Sequence, residues 1–198
     1  MITFKNLCQE IPYLKIKEKY DEAVKSNQKI VEAISISSFS YDANEVNSRY
    51  VNLKFIENNE FIFFSNYNSP KSNDFDSHDQ ISAIIFWNSI NVQIRMKAKI
   101  KKTPSHFNKS YFKKRDPKKN ALAISSNQSQ PINSYDDVLD NYNKVLETQK
   151  LDECPEYWGG FSFRPYYIEF WEGHPSRLNT REAYILKNND WILEILQP

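Results

Sequence analysis

Basic and amide side chains stand at the ends of several segments of this chain, where an anion can be met. In Ser48-Arg49-Tyr50-Val51-Asn52-Leu53-Lys54, Arg49 and Lys54 are an odd number of residues apart. A regular strand therefore turns them to opposite faces, with Asn52 on the face of Lys54. In Asn66-Tyr67-Asn68-Ser69-Pro70-Lys71-Ser72 a helix is expected to begin just where a cation sits. The partial positive charge of a helix start beside a lysine suits a phosphate. Gln128-Ser129 follows another expected helix, and Arg177 and Arg181 lie in a turn ahead of a strand. Donors of this kind, some of them charged, hold phosphates and carboxylates.

Other chemistries find no support. His78, His106 and His174 are isolated, so no metal-ligand spacing exists, and there is no Gly-x-Ser-x-Gly elbow. Three glycines in 198 residues argue against a glycine-rich phosphate loop. Any phosphate is left to side chains and helix ends. The net charge of +1 gives no global attraction for nucleic acid or an anionic membrane. No segment approaches the ~20 apolar residues of a membrane span, and the N-terminus has no apolar signal-like run. Cys8 and Cys154 are far apart; they read as reduced thiols of a cytoplasmic protein, although the sequence leaves a disulfide open.

The elements that must position these residues follow from the hydrophobic pattern. With 40% hydrophobic and 26% charged residues, the chain reads as one globular domain over 1–198. A helix is expected from Pro12 to Ser26, within an N-terminal helical segment at 1–28. Strands are expected at 30–38, 49–56 and 61–65, the last two flanking a Glu57-Asn58-Asn59-Glu60 hairpin, with a loop at 39–47. A short polar helix runs from Ser69-Pro70 to about His78. The apolar run 83–87 reads as a strand buried on both faces. Residues 91–102 alternate, with Val92, Ile94, Met96, Ala98 and Ile100 on the core face. A helical insertion at 104–150 holds three helices, the last capped by Ser134 and striped by Val138, Tyr142, Val145 and Leu146. Strands at 161–171, 182–186 and 191–196 close the chain. The class is α+β, around an antiparallel sheet or barrel.

The order and spacing of these segments resemble the pyridoxamine 5′-phosphate oxidase family from about Ile11 to Pro198. The resemblance is carried by Arg49…Lys54, Phe63-Phe64-Ser65-Asn66, Ser69-Pro70-Lys71, Gln93-Ile94-Arg95, Tyr111…Arg115, Gln128-Ser129, Trp158-Gly159-Gly160-Phe161, and Glu169-Phe170-Trp171-Glu172-Gly173…Arg177-Leu178-Asn179-Thr180-Arg181. It implies an antiparallel split β-barrel with flanking helices that binds FMN as a homodimer. By the family pattern Arg49, Lys71, Gln128 and Ser129 hold the FMN phosphate and ribityl chain. Tyr50, Val51, Asn52 and Lys54, with Phe64 and Ser65, line the ring, and Gln93 meets its polar edge. Trp171 and Arg181 reach it from the partner subunit. Lys54, Tyr111, Arg115 and Lys119 are the expected anchors of the substrate phosphate. Arg177, the expected catalytic residue, and Asn179 lie over the substrate ring.

Four positions depart from the family pattern. Pro70 stands where a second cation precedes Lys71, a loss of ~1–3 kcal/mol where that arginine bonded a charged oxygen. Lys119 replaces a serine, Asn52 an aliphatic residue, and Asn179 a histidine; unlike histidine, Asn179 cannot carry a proton near neutral pH. The basic segment that precedes the first helix in many members is not evident. Three activities fit these residues: oxidation of pyridoxamine or pyridoxine 5′-phosphate, FMN chemistry on another small heterocycle, or non-catalytic binding of FMN or a B6 phosphate.

Overall fold

The computed structural model describes residues 1–198. In chain order the elements are β1 (Thr3–Lys5), α1 (Ile11–Lys25), β2 (Ala33–Ser40), β3 (Glu45–Glu57), β4 (Glu60–Asn66), α2 (Pro70–Ser77), β5 (Gln80–Trp87), β6 (Val92–Lys102), α3 (Ser105–Lys114), α4 (Pro117–Ser125), α5 (Tyr135–Thr148), β7 (Trp158–Glu172), β8 (Thr180–Lys187) and β9 (Asp190–Ile195). Six strands close an antiparallel ring: β3 pairs with β2, β2 with β5, β5 with β6, β6 with β7, β7 with β4, and β4 again with β3. β7 is the shared strand. Its first half pairs with β4 and its second half with β8, from which β9 extends the sheet. The result is the split barrel with flanking helices that the sequence motifs imply.

Local chemistry explains the elements. Pro12 occupies the first turn of α1, and Tyr13, Ile16, Tyr20 and Ala23 bury one stripe of it against the barrel. β6 buries Val92, Ile94, Met96, Ala98 and Ile100, the expected face. The β8–β9 turn uses Asn188 and Asn189, both left-handed at φ 52° and 70°, as tight hairpins require. Inside the barrel Phe61 stacks on Phe163 and Phe63 on Phe161, all fully buried. Each such side chain stabilises the fold by roughly 1.5–3 kcal/mol.

The Trp-Gly-Gly segment has a packing reason. A Cβ on Gly159 would lie 2.1 Å from the Tyr67 hydroxyl, and one on Gly160 would lie 2.5 Å from Thr103 Oγ1. Those groups belong to a buried network. Asn108 Nδ2 donates to the Tyr67 hydroxyl at 2.9 Å, and the Gly160 amide donates to Asn108 Oδ1 at 2.9 Å. The network ties α3 to β7.

Three expectations are corrected. The stretch 39–47 is largely strand, because Ser37 to Ser40 pair with Ser48 back to Glu45 and only 41–44 turn. β5 is not buried on both faces: Phe86 points outward and is 52% exposed. The capped helix α5 forms, with Ser134 Oγ accepting from the Asp137 amide at 3.1 Å, but no residue of it is fully buried. β1, pairing parallel with β3, was not expected; three residues are too short to show a period.

Candidate active site

A cavity of about 400 Å³ opens between β3, the end of β4, the start of α2, α3 and the segment after α4. Arg49, Tyr50, Val51, Asn52, Lys54, Phe64, Ser65, Lys71, Tyr111, Arg115, Gln128 and Ser129 all line it, together with Pro70. Twelve residues named from sequence therefore converge on one space.

The cavity has two cationic ends. Arg49 and Lys54 lie about 16 Å apart along β3. At the Arg49 end, Lys71 is buried, and its ammonium donates to Ser65 Oγ and Ser69 Oγ at 3.0 Å each. Burial, and then the neighbouring Arg49, push that ammonium down to about 8. Arg49 Nη1 donates to Ser38 Oγ at 2.7 Å, and Nη2 lies 3.6 Å from Asp74 Oδ2. Ser65 Oγ and the Asn66 amide fix the Gln128 carboxamide oxygen at 3.1 and 3.3 Å.

At the other end, burial lowers the pKa of Lys54; Glu32 opposes that shift, and the nearby Lys119 and Arg115 reinforce it. Arg115 Nη1 donates to the Lys119 carbonyl at 2.9 Å and to Asn120 Oδ1 at 3.0 Å, and its guanidinium lies 5.1 Å from the Trp158 ring centre. Phe64 lies parallel to Tyr111, at 4.0 Å, and to Trp158, at 5.1 Å, and those two rings are themselves parallel at 6.4 Å. This cluster of parallel rings sets the position of the Tyr111 hydroxyl. Lys119 lines an adjoining cavity of about 260 Å³ that shares Phe64, Ser65, Arg115 and Gln128.

Five other named residues lie outside both cavities of the protomer. Gln93, Trp171 and Arg181 form one row across β6, β7 and β8, which Phe86 of β5 continues. Arg177 and Asn179 belong to the turn between β7 and β8. Asn179 Oδ1 accepts from the His174 amide at 3.0 Å and closes that turn. Arg177 is exposed and left-handed, with φ 59°.

The sequence reading missed Ser38, Asp74 and Glu169. Asp74 follows Lys71 by three residues on α2 and so shares its helix face, but its contacts are to Ser38 and Arg49 on distant strands, which spacing does not reveal. Glu169 stands inside the quoted Glu-Phe-Trp motif but was assigned no role.

The last 41 residues, 158–198, match the family described as the pyridoxine 5′-phosphate oxidase C-terminal dimerisation region. Over 96% of this chain and 89% of the relative, the sequence is 36% identical to pyridoxine/pyridoxamine 5′-phosphate oxidase 1 of Hydrogenovibrio crunogenus. The chain belongs to the pyridoxine/pyridoxamine 5′-phosphate oxidase family. A second relative of that name, from Leptospira biflexa, is 34% identical over 90% of this chain and 85% of its own. The fold matches PhzG from Burkholderia lata, solved with tetrahydrophenazine-1-carboxylic acid, with a TM-score of 0.89 over 94% of this chain and 92% of that one, at 21% identity. It also matches a pyridoxamine 5′-phosphate oxidase-related, FMN-binding protein from Nostoc punctiforme, with a TM-score of 0.75 over 92% and 96% of the two chains, at 13% identity. These two likenesses establish the family's split-barrel fold. No helix is long and apolar enough to cross a membrane.

Proposed function

We propose that this protein is an FMN-dependent oxidase of pyridoxine and pyridoxamine 5′-phosphate that works as a homodimer. The observation that carries the reading is the single cavity with a cationic group at each end, Arg49 with Lys71 and Lys54 with Arg115. The residues fit FMN: Lys71 is a buried cation bonded only to hydroxyls, with no carboxylate in direct contact. The names of the relatives, at 34–36% identity over most of the chain, point to the same cofactor and substrates.

In this reading Arg49, Lys71, Gln128 and Ser129 hold the flavin phosphate and ribityl chain. Tyr50, Val51, Asn52, Phe64 and Ser65 wall the ring. Bound FMN supplies the hydride acceptor. Lys54, Tyr111, Arg115 and Lys119 hold the substrate phosphate, so that C4′ is placed against the ring by its far end. Pyridoxine 5′-phosphate loses a hydride from C4′ and its hydroxyl proton to give pyridoxal 5′-phosphate. Dioxygen takes the two electrons, with two protons, as hydrogen peroxide.

Gln93 meets the polar edge of the flavin, and Trp171 and Arg181 find a role through the second subunit. The residues from Trp171 onward lie in the stretch matched by the dimerisation region, and the sheet face of Gln93, Trp171 and Arg181 carries the exposed Phe86. Trp171 and Arg181 meet the partner's flavin from that face, and Arg177 and Asn179 cover the substrate. We place the protein in the cytoplasm, where its two free thiols, Cys8 and Cys154, stay reduced.

The test is to record the visible spectrum with FMN and then mix aerobically with pyridoxine 5′-phosphate while following pyridoxal 5′-phosphate. Bound flavin with product is expected. Bound flavin without product moves the activity to another small heterocycle or to a non-catalytic carrier. No bound flavin overturns the reading.

A further inference from the structure

Behind the two cations at one end of the cavity stands a carboxylate that faces neither solvent nor the cavity. Asp74 is 5% exposed and Ser38 2%. The Ser38 hydroxyl donates to Asp74 Oδ2 at 2.7 Å and accepts from Arg49 Nη1 at 2.7 Å. Arg49 Nη2 lies 3.6 Å from the same carboxylate oxygen. Arg49 also donates to the Ile36 carbonyl at 3.4 Å. Lys71 stands three residues before Asp74 on α2, and the Asp74 carboxylate favours the charged form of that ammonium. Asp74 makes no hydrogen bond to Lys71, which is held by the Ser65 and Ser69 hydroxyls.

A buried ammonium and a half-buried guanidinium held close together repel each other and cost solvation, so without an anion the site is unstable. A negative charge held behind them offsets this in the ligand-free protein. The same charge then remains when a phosphate arrives and opposes it. An aspartate so placed stabilises the empty site and weakens the filled one. Pro70, which lacks both a charge and an amide hydrogen, sharpens the effect by leaving only the two cations to set against it.

We propose that Asp74 is a built-in counter-anion that stands in for a ligand phosphate beside Arg49 and Lys71, holding the anion affinity of the site below what those cations would give. The proposal rests on the reading of this end as the FMN phosphate site. It assigns a positioning and tuning role to a residue that does not touch the ligand.

The test is Asp74→Asn, which keeps an acceptor for the Ser38 hydroxyl and removes only the charge. FMN affinity is expected to tighten on the order of tenfold, since a charge a few ångströms behind the cations acts through a partly desolvated interior. Riboflavin, which has no phosphate, should bind both proteins alike. The ligand-free variant should melt at a lower temperature than the ligand-free parent. Ser38→Ala leaves the carboxylate in place and should not tighten FMN. Asp74→Ser, which is smaller, must give the same sign as Asp74→Asn.

Unchanged or weaker FMN binding by Asp74→Asn, or equal tightening for riboflavin, overturns the proposal while leaving the oxidase reading intact. If the parent binds no FMN, the oxidase reading fails. Inorganic phosphate then decides the proposal: a larger thermal shift in Asp74→Asn supports it, and an equal or smaller one overturns it.

Discussion

Arg181 donates from both Nε and Nη2 to one carboxylate oxygen of Glu169, at 2.9 and 2.8 Å. The other oxygen accepts from Arg95 and, at 2.6 Å, from the Tyr167 hydroxyl. Glu169 is 2% exposed although it points to the outer face of the sheet, because the two arginines cover it. Burial raises its pKa, but the bonds from Tyr167, Arg181 and Arg95 outweigh burial and hold it below the usual carboxylate range. The stabilisation is therefore complete above the unfolded value near 4.5 and is lost as the pH falls through the folded one. Glu169→Gln should cost about 1–3 kcal/mol at pH 7 and flatten the acid limb of the stability profile. Urea unfolding at pH 7 and pH 4 measures both, and an unchanged acid limb would refute the assignment.

The row Phe86, Gln93, Trp171 and Arg181 crosses four neighbouring strands on one face. If this face meets the second subunit, Phe86→Asp should give a monomer. The substitution leaves the barrel interior alone, since Phe86 points away from it. Sedimentation equilibrium reads the mass, and FMN affinity should fall at least tenfold with it, as the partner's Trp171 and Arg181 are lost from the site. A variant that stays dimeric would move the interface elsewhere.

Lys71 makes the ligand-free protein sensitive to alkali in an unusual direction. Its ammonium is lost near pH 8 in the folded chain but only near 10.5 in the unfolded one. Between these values the unfolded chain binds the more protons, so stability rises with pH, by about 3 kcal/mol in all. With Lys71 at the proposed phosphate site, FMN affinity should fall toward tenfold per pH unit above pH 8 as the ammonium is lost. Lys71→Met should flatten both profiles. Titrations with FMN from pH 7 to pH 10, beside thermal melts, check the pair.

Much of this site was legible from the order and spacing of segments that resemble one family, since single cations and amides near element ends say little alone, and Arg49 to Lys54 lie within β3 rather than at its end. The alternation in 91–102 and the Ser134 cap were legible for local reasons. Asp74 and Glu169 were not. Each is an acid whose partners, Ser38 and Arg49 or Arg95 and Arg181, come from distant strands, and sequence spacing carries no such distance. The outward turn of Phe86 was hidden too, because an apolar run does not say which of its faces another subunit covers. Arg49 and Lys54, expected on opposite faces, both line the cavity; a register shift between Leu53 and Phe55 interrupts the alternation of β3 at Lys54, and the sequence does not reveal it.

Gly159 should not tolerate even one methyl group. Its Cβ would sit 2.1 Å from the Tyr67 hydroxyl and 2.4 Å from Asn108 Nδ2. Gly159→Ala must push one of them out of a buried network, at about 1–3 kcal/mol. Asn108 belongs to α3, which carries Tyr111 toward Arg115, so the KM for a phosphate-bearing substrate should rise more than kcat falls. Denaturant unfolding and steady-state kinetics separate the two effects. A Gly159→Ala protein of parental stability would mean that the network adjusts freely.

Arg177 is held in a left-handed conformation at φ 59°, its amide donating to the His174 carbonyl at 2.9 Å, in a turn that the Asn179 carboxamide closes. An exposed arginine has no structural need for that conformation, which glycine adopts more easily by about 1 kcal/mol. A side chain kept at a strained position points to use rather than stability. Arg177→Gly should therefore raise the unfolding free energy by about 0.5–1 kcal/mol and leave FMN bound, while formation of pyridoxal 5′-phosphate collapses by roughly a hundredfold, the scale of one charged contact to the reacting substrate. Asn179→Ala should loosen the turn and lower turnover less, again with FMN retained. Opposite movements of stability and turnover in Arg177→Gly are the signature to seek. A variant that is more stable and equally active would show the arginine to be idle and return the role of the turn to Asn179.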